Sequence, residues 1–125
     1  MKFISTKNAL KPGGHYSQAI AHDNLLFISG QLSIDPNTGE KKFGSIEEET
    51  LQTLENMELI LKEAGTCKEK VLKVTLYIPD IQLWDRVNKV YKEFFGDHKP
   101  ARSVVPTKDL HYGFKIEIEA IAAIN

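Results

Sequence analysis

The spacing of apolar residues predicts an α+β fold in which two helices cover one face of a β-sheet, in the order β-β-α-β-α-β-β. Two observations carry this. Runs that alternate apolar with polar side chains, the strand period, occur in five places, and two longer segments repeat their apolar residues at three- and four-residue steps, the helical period. No repeat, low-complexity tract or linker-like change of composition divides the 125 residues, so 1–125 is read as a single domain long enough to bury a substantial core.

The first two strands lie in "YSQAIAHDNLLFISGQLSI" (16–34), which folds back at His22-Asp23-Asn24 because Asp and Asn tolerate the backbone angles of a tight turn. "DPNTGE" (35–40) ends the second of them. Ser45 and Glu48 form a capping box for a helix from Ile46 to Ala64. Leu54, Met57, Leu61 and Ala64 share one face of it, the Glu-rich first turn suits the positive end of its dipole, and Gly65 can take the left-handed conformation that ends it. "VLKVTLYI" (71–78) alternates as a strand and is closed by Pro79-Asp80. A second helix is expected from about Ile81 to Phe95, stopped by Gly96, with Trp84, Val87, Tyr91, Phe94 and Phe95 as its apolar stripe and Asn88 on the same side. "PARSVV" (100–105) and the segment from Phe114 onward supply the last strands. Phe114, Ile116, Ile118, Ala120, Ala122 and Ile124 form one apolar face, assigned to the helix-covered core. The other face changes from Lys115, Glu117 and Glu119 to Ile121 and Ala123, which points to burial against another subunit with a polar cleft where the apolar surface stops.

Bulk properties narrow the function classes. Charged residues are 26% and the formal charge is -1, so there is no basic field for gripping phosphate backbones, and nucleic acid is a poor partner. No apolar run approaches the roughly 20 residues of a membrane span. The single cysteine, Cys67, allows no intrachain disulfide and is read as a small packing residue, and "MKFISTKNAL" lacks a secretory signal pattern, so a cytoplasmic location is expected. His15, His22, His98 and His111 have no metal-ligand spacing, and no metal site is expected.

The question left by the last strands is whether Arg102 and Glu117 face a common pocket. Read by residue type alone, a strand arginine is most often a surface or ion-pair residue, and Glu117 with Glu119 reads first as a solvated strand face. Tyr16 reads equally as an interface aromatic, Asn88 as a cap for local backbone, and Gly30 as the mark of a bulge or of close strand packing.

"YSQAI" (16–20), "LFISGQL" (26–32), "VNKVYKEFF" (87–95), "PARS" (100–103) and "IEIEAIA" (116–122), in this order and spacing, resemble the RidA/YjgF family of enamine/imine deaminases, from about residue 5 to 124. The resemblance implies a chorismate mutase-like mixed β-sheet with two helices packed on one face, assembled as a homotrimer with clefts between subunits. It implies a small imine or enamine carboxylate as substrate, 2-iminobutanoate or 2-iminopropanoate, hydrolysed to a 2-oxo acid and ammonia without any cofactor. It places Arg102 as the clamp on the substrate carboxylate, Glu117 as the residue that orients or deprotonates water, and Tyr16 with its hydroxyl in the cleft. The backbones of Gly30 and Val104 are implied to line the ligand, and Asn88 to lie near it. The residue types suit these roles. A guanidinium meets a carboxylate with two parallel hydrogen bonds, and a carboxylate can take a proton from attacking water.

This chain departs from the family pattern at three places. Gly14-His15 stands where Gly-Pro is common, Val104 where cysteine is common, and the loop "TKDLHYGF" (107–114) replaces a Leu-Pro form with His111 and adds Tyr112, which bears on substrate range. A second class of function, a non-catalytic module binding a small carboxylate or 2-oxo acid in the same inter-subunit cleft, would use Arg102 equally. A third, an RNA-directed activity, finds neither a basic stripe nor paired histidines.

Overall fold

The computed structural model describes residues 1–125. Its strands are β1 (Lys2–Ile4), β2 (Ala19–His22), β3 (Leu25–Gln31), β4 (Val71–Ile78), β5 (Ala101–Pro106) and β6 (Glu117–Ala123), and its helices α1 (Ile46–Glu63) and α2 (Trp84–Phe95). They form one mixed sheet in the order β1-β2-β3-β6-β4-β5, in which only β4 and β5 pair in parallel. That parallel pair needs a crossover, and α2 supplies it.

The local signals act as expected. Asp23 takes φ 54 in the turn between β2 and β3. The Ser45 hydroxyl accepts from the Glu48 backbone, the Glu48 carboxylate accepts from the Ser45 backbone, and Gly65 follows α1 at φ 77. Leu54, Met57, Ile60 and Leu61 of α1 and Val87, Val90, Tyr91 and Phe94 of α2 bury one face of the sheet, reached from β6 by Ile118, Ala120 and Ala122.

Four expectations need correction. A short strand, β1, precedes the hairpin; three residues are too few to show a period. The ladder of the last strand begins at Glu117, although Phe114 and Ile116 ahead of it are buried as the alternation required. Trp84 does not join the buried stripe: it is 37% exposed at the first turn of α2, and Val90 takes a place in the core instead. Cys67 is exposed.

One buried charge ties α1 to the segment that leads into β6. The fully buried Glu49 carboxylate accepts from the backbone N–H of Lys115 (2.9 Å) and of Gly44 (3.3 Å) and meets the Lys115 ammonium at 3.2 Å. Asn56, also buried, donates to the Leu32 and Ile34 carbonyls and so fixes the chain that leaves β3.

The other face of the sheet has no helix. Phe3, Ile20, Phe27 and Ile121 are in register across β1, β2, β3 and β6, an apolar row in which Phe3 is 63% and Phe27 43% exposed. Beside this row the surface becomes polar, with Glu119 accepting from the Tyr77 hydroxyl at 2.5 Å.

Candidate functional site

Within one chain the six residues singled out by sequence divide into two groups on opposite faces of the sheet. Arg102 pairs in register with Val74, which is buried under the helices, so its side chain rises on the helix-covered side. Glu117 pairs with Tyr77 on the open face. Strand β4 also separates β5 from β6, so residues close in sequence lie neither on adjacent strands nor on one side.

The Arg102 group is built by α2. Its guanidinium lies 4.7 Å from the centre of the Tyr91 ring and 5.4 Å from that of Trp84, and it donates from Nη1 to Asn88 Oδ1 at 2.8 Å. Trp84, Asn88 and Tyr91 are three and four residues apart, which places all three on the helix face above β5. Aromatic faces attract the cation, and the amide fixes its plane, so the remaining N–H donors are presented in a set direction. Burial pushes the Tyr91 hydroxyl up to about 12, against the lowering effect of the Arg102 charge, so that ring remains neutral. Val104 follows on the same side and packs against the core. A recess of about 540 Å³ opens beside Asn88, Tyr91 and Arg102 towards the residues after α2.

The second group is built by the edge of β3 and the start of β6. Two residues of β3, Ser29 and Gly30, stand between the pairs Ile28–Ala120 and Gln31–Ile118, where β6 has only Glu119. This bulge brings the Gly30 backbone against the Glu117 carboxylate: a Cβ at Gly30 would overlap Oε2 and lie 3.1 Å from Cδ. Gly30 thus serves both the bulge and the close approach. The Ser29 hydroxyl donates to the Ser17 carbonyl at 2.6 Å and secures the chain next to Tyr16, which is 53% exposed with its hydroxyl accepting from the Gly13 N–H at 3.3 Å. Tyr16, Ser29, Gly30, Leu32, His111 and Glu117 line a recess of about 380 Å³.

The electrostatics of this recess act on the Glu117 carboxyl. Glu117 is half-buried, and desolvation raises its pKa; the neighbouring Glu119 charge raises it further and His111 opposes the shift. A raised carboxyl is a better proton acceptor once ionised.

The structure therefore joins Tyr16, Gly30 and Glu117, and separately Arg102, Asn88 and Val104. Residue-type reasoning did not single out Trp84 and Tyr91 as holders of the arginine, although their spacing about Asn88 was visible, nor Ser29 or His111 as lining residues. A larger groove, about 700 Å³ between α1 and the 35–37 turn, includes none of the singled-out residues.

Comparison with known proteins supports one lineage. The family model described as Endoribonuclease L-PSP matches residues 6–124. A RutC family protein of Pyrococcus horikoshii is 50% identical over 119 residues, 95% of this chain and 94% of that one. A human protein named 2-iminobutanoate/2-iminopropanoate deaminase is 41% identical over 121 residues, 97% of this chain and 88% of that one. The crystal structure of E. coli TdcF with bound serine matches with a TM-score of 0.94 at 34% identity, covering 100% of both chains.

Proposed function

The chain belongs to the Endoribonuclease L-PSP family, the RidA/YjgF proteins, and we propose that it hydrolyses small 2-imino acids such as 2-iminobutanoate and 2-iminopropanoate to 2-oxo acids and ammonia. The observation that carries this is the pair of complementary half-sites: an arginine oriented for a carboxylate, and a half-buried glutamate held against a glycine in a recess. Relatives named for this deaminase activity, at 41% identity, support the reaction class.

Because the halves lie on opposite faces, we place the working site between subunits of a homotrimer, with Arg102, Asn88 and the Val104 backbone from one and Tyr16, Gly30 and Glu117 from its neighbour. The exposed row Phe3-Ile20-Phe27-Ile121 gives the open face a reason to be covered. Arg102 would take the substrate carboxylate with two of the donors that Asn88 leaves free. Glu117 would accept a proton from water attacking the C=N carbon, and the Tyr16 hydroxyl would help position that water. A protonated imine is already a strong electrophile, so holding both reactants in place supplies much of the acceleration. One alternative, a binding module for small carboxylates, shares the Arg102 clamp, and the bound serine of E. coli TdcF is compatible with it.

The test couples threonine dehydratase to the protein and follows decay of the transient imine and formation of 2-oxobutanoate. Wild type is expected to speed decay, and Arg102→Ala and Glu117→Ala each to abolish the gain. When the two variants are unfolded together and refolded as a mixture, activity should partly return, because some mixed trimers contain one site with both halves intact. No return from the mixture, with both variants folded and trimeric, would sink the inter-subunit assignment. Ligand binding by Glu117→Ala with no acceleration even in wild type would favour the binding module.

A further inference from the structure

The 107–114 loop places a histidine in the Glu117 recess, and the structure shows what holds it there. Tyr112 occupies the left-handed region at φ 59, a conformation that a residue with a bulky side chain adopts only under constraint. Neighbouring contacts supply the constraint. The Gly113 N–H donates to the Leu110 carbonyl (3.1 Å) and the Phe114 N–H to the His111 carbonyl (3.2 Å). Phe114 is buried and stacks on Phe43 at 4.8 Å, the Lys41 ammonium lies 4.4 Å from the centre of the Tyr112 ring, and the Tyr112 ring packs 3.8 Å from the imidazole. Tyr112 therefore packs against the imidazole of His111, and His111 lines the recess with Tyr16, Gly30 and Glu117.

We propose that His111 is a second proton-transfer residue of this site, donating to the nitrogen that departs while Glu117 serves the water that enters. This rests on the imine-hydrolysis reading. The chemistry needs such a donor: an amine leaves as ammonia only after its nitrogen is protonated, and an imidazole carries and releases a proton near neutral pH. The other charged groups beside Glu117 are engaged elsewhere: Glu119 holds the Tyr77 hydroxyl and Lys115 is paired with Glu49. The Tyr16 hydroxyl, which accepts from Gly13, keeps its own proton for positioning the water. His111 also acts electrostatically on Glu117, in the sense that keeps the carboxylate ionised.

Water attack forms the C–O bond, moves the C=N π pair onto nitrogen and leaves the water's proton on Glu117. The imidazolium gives its proton to the resulting amine, and the C–N bond breaks with its pair leaving on ammonia. The hydroxyl proton of the collapsing carbon returns to the imidazole as the C=O bond forms. Glu117 releases its proton to solvent, which accounts for the charge brought in by the protonated imine.

The experiment measures acceleration of imine hydrolysis over buffer from pH 5.5 to 8.5 for wild type, His111→Gln, Arg102→Ala and Glu117→Gln. The ratio of each variant to wild type at one pH cancels the protonation of the imine itself. For His111→Gln, kcat is expected to fall about 10²-fold at the acid end, with KM nearly unchanged. Its deficit should be smaller at the alkaline end of the series than at the acid end. A His111→Gln profile parallel to wild type and equal in kcat, beside inactive Arg102→Ala and Glu117→Gln, would overturn the inference and leave the deaminase reading standing. No acceleration by wild type at any pH would remove that reading, and this inference with it.

Discussion

Replacing Gly30 by alanine separates the two services that this residue performs. Gly30 is not among the positive-φ positions, so alanine can adopt its backbone, and the exposed site leaves the fold within about 1 kcal/mol of wild type. The added Cβ, however, would overlap Glu117 Oε2 and lie 3.1 Å from Cδ. The carboxylate is the movable party, and it must retreat by roughly 1 Å. A displacement of that size at a reacting group costs on the order of 10²-fold in rate. The expected result is a melting temperature close to wild type with kcat for imine hydrolysis down by about that factor. A double-mutant cycle isolates the cause: in a Glu117→Ala background, Gly30→Ala should have almost no further effect, because the group it displaces is gone. Wild-type kcat in Gly30→Ala, or an equal loss on top of Glu117→Ala, would refute the argument that Gly30 acts through Glu117.

Three further outcomes follow from the same contacts. Arg102→Lys keeps the charge but loses the fork and its Asn88 partner, so kcat/KM should drop about 10- to 100-fold, chiefly through KM, in the coupled imine assay. Glu117→Gln should melt higher than wild type at pH 7. Burial raises the folded-state pKa of Glu117, so its ionisation removes stability as pH rises through that value, and the gap should close once pH falls below the ordinary 4.5. A gap that widens towards acid would contradict the sign. Glu49→Ala deprives the Lys115 and Gly44 N–H groups of their buried acceptor and should cost roughly 3 kcal/mol in urea unfolding, whereas a loss under 1 kcal/mol would mean that water replaces the carboxylate.

Local chemistry was legible in the sequence, and the relation between distant strands was not. The Ser45–Glu48 box, the Asp23 turn and the alternation from Phe114 to Ala122 each depend on neighbours within a few residues, and each appears in the structure. Whether Arg102 and Glu117 share a face depends on strand order. Helix α2 carries the chain from β4 to a parallel neighbour, β5, after which β6 inserts on the far side of β4. A hint was present in the side-chain parity: Arg102 shares its face with Val104, which packs against the core, whereas Glu117 opposes the apolar face of its own strand. Trp84 misled for a related reason. It fits the helical period of the buried stripe but lies at the first turn of α2, where the indole covers the edge-strand arginine instead of the core.

The separation of the two residue groups, the halves of the site proposed above, also bears on why each is built so firmly. A guanidinium that takes a free carboxylate from water gains little when its own side chain must first be ordered, and a lone surface glutamate has no reason to hold a water in a reactive geometry. Here the ordering is done beforehand: two aromatic rings and an amide fix Arg102, and a bulge with a glycine fixes Glu117. The second arrangement is unfavourable in its own chain, since it keeps a desolvated carboxyl whose ionisation is disfavoured. Structure that costs stability locally is expected where function repays it. In the inter-subunit cleft proposed above, that return comes when a carboxylate bound by one half presents its C=N carbon to the other.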